Sequence, residues 1–110
     1  MANAYEDAME QALGDANALV RHLEGLSGRA HATRAAIDHA RRLAEAIEQA
    51  VYTAVRSFPQ SGANAAAYQA LEGVSSLRAA ADGNDLALME AAAHQIQDHL
   101  SRARDLAAAD

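Results

Sequence analysis

Between residues 21 and 34 the chain concentrates positive charge: Arg21, His22, Arg29, His31 and Arg34 surround the small residues Ser27 and Gly28. Arginines of this kind suit a phosphate or carboxylate, above all where the free amides of a helix start face the same way. The spacing of apolar residues predicts a second helix from Ala30 onward, so these cations crowd its first turns, where the helix dipole favours acids. Something has to compensate. In an antiparallel arrangement Arg78 joins the same pole, and Arg21, Ser27, Gly28, Arg29, Arg34 and Arg78 become a candidate anion site. The simpler compensation is pairing with Asp82, Asp85 and Glu90, which the start of a fourth helix brings to that pole, at about 0 to 1 kcal/mol per surface pair.

A second polar line, Glu90, His94, Asp98 and Arg102, runs in steps of four with His99 nearby. Glu, His and Asp on one helix face can hold a divalent ion, but steps of four across three turns spread them too far for one ion to take all three. The Glu-x-x-His pairs of di-iron bundles are absent, so a solvated, salt-bridged face is expected and no metal or other cofactor. Catalytic residues are not expected either. The chain has no glycine-rich phosphate loop, no Gly-x-Ser-x-Gly elbow, and no Ser, His and acid that helical geometry would unite. Tyr5, Tyr52 and Tyr68 fall on or near seam edges and read as core residues with wet hydroxyls; Met9 and Met89 read as core.

Two short stretches carry family resemblances. The segment AHATRAA, residues 30–36, resembles the phosphorylated helix of histidine phosphotransfer domains, which are four-helix bundles of this size. That resemblance implies phosphorelay through His31, with Arg34 in the place of the family's lysine and Ala35 in the place of its glycine. Leu26-Ser27-Gly28, between two helical runs, resembles the Trp-x-Gly turn of the helical-hairpin proteins exported by type VII secretion, with leucine in the place of tryptophan. The two helical runs after Pro59 exceed that family's single hairpin.

The elements that would position these residues follow from apolar spacing. Tyr5, Met9, Ala12, Ala16, Leu19, Leu23 and Leu26 alternate steps of four and three, a stripe that keeps one helix face against a partner. Ala30, Thr33, Ile37, Ala40, Ala44, Ile47, Val51, Ala54 and Phe58 repeat the pattern until Phe58-Pro59 ends it. A weaker third pattern, Ala67, Leu71, Val74, Leu77 and Ala81, is interrupted by Gly73 and Ser75-Ser76. Asp82-Gly83-Asn84-Asp85 reads as a stop and a start, with Gly83 left-handed, Asn84 the N-cap and Asp85 in the first turn. Leu86, Met89, Ala93, Ile96, Leu100, Ala103 and Ala107 form the last stripe.

Four such segments with short connections predict an all-α antiparallel up-down four-helix bundle over residues 1–110 as one domain. The alternative is a long helical hairpin, unbroken from residue 3 to residue 57, that dimerises.

Composition narrows the function classes. Thirty-one alanines and one proline favour helix. Nine arginines with no lysine suggest a GC-rich, bacterial genome; with fifteen acids they leave a net charge of −6, which disfavours nucleic acid and anionic membranes. No cysteine means no disulfide or thiolate chemistry. No apolar run is long enough to span a membrane, and the start lacks the layout of a secretory signal, so a soluble, cytoplasmic protein is expected, with export by another route left open. Alanine-rich seams bury little apolar area, so self-association is expected, or a protein partner, with contact along the alanine-rich faces of helices two and four. The functional expectation is an interaction or structural module. Phosphorelay through His31 and capture of a small anion at the basic pole are the alternatives, as is a role like that of the type VII secretion proteins.

Overall fold

The computed structural model describes residues 4–109, which form a four-helix bundle: α1 (Ala4–Glu24), α2 (Arg34–Ser57), α3 (Asn64–Asp82) and α4 (Leu86–Ala109). Each helix runs antiparallel to the next, and α1 packs on both α2 and α4, closing a square of neighbours measuring 44 × 20 × 18 Å. Among the described residues there is no strand, and no helix is long and apolar enough to cross a membrane. The chain breaks at residues 25–33, so the unbroken hairpin is not formed.

Every position of the α4 stripe, Leu86, Met89, Ala93, Ile96, Leu100, Ala103 and Ala107, is buried. The α1 stripe is buried from Tyr5 to Leu23, and so are Leu13 and Val20 beside it. Met9, Leu19, Leu23, Ile47, Val51, Val74, Leu77, Met89, Ile96 and Leu100 are the largest fully enclosed side chains, with alanines filling the spaces between them. Ala40 and Ala44 of α2 are wholly buried, as is Ala93 of α4. The alanine-rich faces expected to meet a partner are therefore spent on the chain's own interior.

The weakest pattern hides the closest packing. Gly73, expected to interrupt α3, lies in the middle of a continuous helix, and a Cβ built there would sit 2.7 Å from Cγ1 of Ile96. The missing side chain is a notch that lets α4 approach. Ala66, Ala70 and Ala80, outside the predicted stripe, are also buried. Small residues on this flank explain why α3 turns more of its surface to α4 than the stripe alone foretold.

The boundaries move where local hydrogen bonding outweighs periodicity. Helix α2 starts at Arg34, four residues later than expected. Thr33 is extended (ψ 161°), and its hydroxyl accepts from the Ala36 amide at 3.2 Å as the N-cap. At the α3–α4 connection Gly83 has φ −86°, while Asn84 takes the left-handed conformation at φ 50°. Asp85, one residue later than expected, is the cap: its carboxylate accepts from Leu88 N–H at 3.1 Å. The Asn84 side chain is needed elsewhere. It accepts from the Ala32 amide at 2.9 Å and donates to the Ala32 carbonyl at 3.1 Å, joining the two connections at this pole. With both backbone groups of Ala32 engaged in this way, the helix does not begin before it. Gly28, at φ +88°, supplies the reversal after α1 that a residue with a Cβ adopts only with strain.

At the opposite pole Phe58 leaves the helix at φ −132° and ψ 66°, as the residue before a proline must. Asn64 ties this end together. Its amide donates to the Phe58 carbonyl at 3.0 Å and its oxygen accepts from the Tyr5 hydroxyl at 2.8 Å.

Candidate interaction surface

The basic segment does not assemble as expected. His31 lies exposed in the connection, two residues before the Thr33 cap, and not on a helix as its resemblance to a phosphotransfer histidine requires. Ser27 and Gly28 sit in the turn, also exposed. Arg21, Arg29 and Arg34 are exposed near the end of α1 and the start of α2, and make no ion pair among the described residues. Arg78 is elsewhere. It donates two hydrogen bonds to Glu48, at 2.7 and 3.1 Å, along the partly exposed edge of the α2/α3 seam. Glu48 is fourteen residues beyond Arg34, roughly 20 Å along the helix axis.

The expected neutralisation also takes a different form. Asp82 pairs with Arg41 at 2.5 Å, Asp85 caps α4, and Glu90 makes no ion pair among the described residues. The misplaced cations of the α2 start are left to solvent. His22 accounts for part of the local order: its Nε2 bonds the Ala36 carbonyl at 2.9 Å, and its ring meets that of His39 edge-on, with centroids 4.6 Å apart.

Along α4, His94 is exposed as expected, facing Glu24 of α1 at 3.9 Å. Gln97 donates to Asn17 at 2.6 Å, and Arg104 approaches Glu10 at 3.8 Å, so the polar edge of α4 follows the α1 seam. No three His, Asp or Glu side chains among the described residues are grouped to hold a metal ion.

The Glu48–Arg78 pair of the α2/α3 seam shifts both of its members. The two hydrogen bonds from Arg78 hold the Glu48 carboxyl below its ordinary pKa, and the same pairing raises that of Arg78. Burial opposes both shifts and is too slight to reverse either.

A different surface stands out. The outward side of α3 from Ala65 to Ala79 exposes Tyr68, Gln69, Ser75 and Ser76, and its charges are Glu72 and the partly exposed, paired Arg78. By contrast, α2 exposes Arg34, Arg41, Arg42, Glu45 and Arg56. On either side of α3 lies a groove. The one toward α2 is lined by Glu48, Tyr52, Tyr68, Leu71, Glu72 and Ser75. The one toward α4 is lined by Ser76, Ala79, Ala80, Gly83, Asp85, Leu88, Ala91, Ala92 and Gln95.

Among the described residues, three of the five exposed large apolar side chains belong to these grooves: Tyr52 at 39%, Tyr68 at 50% and Leu88 at 58% exposure. Tyr52 and Tyr68 are thus surface residues, in contrast to Tyr5, which is buried as expected. Arg56 lies over the Tyr52 ring, 5.4 Å from its centroid. The apolar spacing of α3 did not point to this surface. The available signal was charge: from Ser57 to Ala81 the only charged residues are Glu72 and Arg78. No family model, curated protein or solved structure matches the chain.

Proposed function

We propose that this protein is an interaction module that acts by presenting the α3 surface, with its two flanking grooves, to a protein partner or to another copy of itself, and not by catalysis. The observation that carries this is the exposure of Tyr52, Tyr68 and Leu88 in the two grooves that flank α3, whose outward side is poorer in charge than that of α2, on a chain whose net charge is −6. Exposed aromatic and aliphatic side chains on a surface depleted of charge are what the centre of a protein interface is made of. The neighbouring α2 face is charged and solvated, so it makes a rim.

A photo-crosslinking amino acid placed at Tyr68 or Leu88 in the native host tests the surface directly. Covalent adducts are expected from these two positions, and none, or far fewer, from Arg42 on α2 or Asp7 on α1. Adducts from Arg42 and Asp7 alone would overturn the assignment.

A further inference from the structure

Imidazole is the commonest protein ligand for transition metals, and two of the five histidines meet across the α1/α2 seam. His22 is half-buried in the last turn of α1, and His39 is exposed in the second turn of α2. Their ring centroids are 4.6 Å apart, with the planes at 82°. Two imidazoles bound to one zinc ion, each nitrogen at about 2.1 Å, have centroids about 5 Å apart. The two helices already hold the rings at nearly that separation. The edge-on contact suits the same chemistry, because the lone pair of an imidazole nitrogen lies in the ring plane and leaves by its edge.

His22 is also oriented as a ligand. Its Nε2 lies 2.9 Å from the Ala36 carbonyl oxygen. A carbonyl only accepts, so Nε2 carries the proton and the lone pair of the neutral ring is on Nδ1. Metal-binding histidines almost always donate the other ring N–H to a carbonyl or carboxylate, which fixes both tautomer and ring orientation. Here that carbonyl belongs to α2, the helix that supplies the second ring. His39 makes no hydrogen bond among the described residues, so its ring turns toward an ion without breaking one. We propose that Nδ1 of His22 and a ring nitrogen of His39 bind one divalent transition-metal ion of the zinc class, with water completing its shell, and that the ion clamps α1 to α2 beside the 25–33 connection.

The donors set the class of ion. Imidazole nitrogens suit Zn²⁺, Ni²⁺ and Cu²⁺, whereas Mg²⁺ and Ca²⁺ require oxygen ligands. Two protein ligands are half the set of a structural zinc site, which places the dissociation constant roughly between 1 and 100 µM. The site is independent of the α3 surface and of any partner there.

Calorimetric titration of the full chain with zinc chloride, together with thermal unfolding in roughly 1 mM of the same salt, tests the site. One ion per chain is expected, with the unfolding midpoint raised by at least about 5 °C. His39→Gln, at an exposed position, should weaken zinc binding at least about 10-fold with helicity unchanged by circular dichroism, and His22→Gln should do the same. His94→Gln, on the far flank of α1 beside Glu24, should leave binding intact, and magnesium chloride should give no heat. In nitrogen NMR of the imidazoles, zinc should shift Nδ1 of His22 and one nitrogen of His39. Absence of zinc binding up to about 1 mM, binding indifferent to His39→Gln, or binding lost with His94→Gln instead would overturn the proposal.

Discussion

Gly73 shows how a residue that looks like a defect in the sequence becomes a fit in the structure. Glycine inside a helix costs about 1 kcal/mol relative to alanine, so on propensity alone Gly73→Ala stabilises the protein. The Cβ would meet Cγ1 of fully buried Ile96 at 2.7 Å, and the Ile96 backbone lies within 3.7 Å, leaving little room to yield. Overpacking of this kind costs about 1 to 3 kcal/mol, enough to cancel the helical gain. Gly73→Ala is therefore expected to lower the urea midpoint, and pairing it with Ile96→Val, which removes a methyl group from the same contact, is expected to restore part of the loss.

At the scale of elements, α2 and α3 are joined across their seam by a doubly hydrogen-bonded ion pair. Glu48 and Arg78 meet through two hydrogen bonds but are only partly shielded, with side-chain exposures of 25% and 40%. Solvent screening limits the pair to about 1 kcal/mol. The sign of its pH dependence follows from the lowered pKa of Glu48. The stabilisation is fully present above the carboxyl's unfolded pKa and is lost as pH falls through the lower folded value. Urea melts of wild type and Glu48→Gln should differ most near neutral pH and converge in acid. A difference that grows in acid would assign the opposite sign.

The same scale explains which helix boundaries could be read in advance. Proline stops a helix through covalent geometry, so Phe58-Pro59 ended α2 as expected. The start of α2 was misplaced because the Ala30–Thr33 spacing continues the stripe, whereas Thr33 caps the helix and Ala32 bonds to a side chain 52 residues away. Periodicity records which face is apolar, and it carries no information about a distant hydrogen-bond partner.

For the molecule as a whole, Asn84 has the widest reach. One side chain occupies the left-handed position of the α3–α4 turn and holds both backbone groups of Ala32, so the two connections at this pole move together. Asn84→Ala removes both bonds and strains φ 50°, at an expected cost of about 2 to 3 kcal/mol. Asn84→Gly relieves the backbone but still lacks the bonds, and about half that cost is expected. Thermal unfolding should rank wild type above Asn84→Gly above Asn84→Ala; amide exchange at Ala32 should quicken in both variants.

The all-α class, the order of four helices, the stop at Pro59 and most of the buried stripe were legible in the residues themselves, because apolar periodicity and backbone chemistry act over one or two turns. Tertiary structure decided the rest. It drew Arg78 away from the basic turn to Glu48, left His31 off the helix, and turned Tyr52 and Tyr68 outward. It also closed α4 over Gly73 and set Leu88 above an alanine recess. Each of these outcomes depends on how helices rotate and slide against one another, which is set by the fit of side chains far apart in sequence. An alanine-rich surface leaves many such fits nearly equal until the whole bundle selects one.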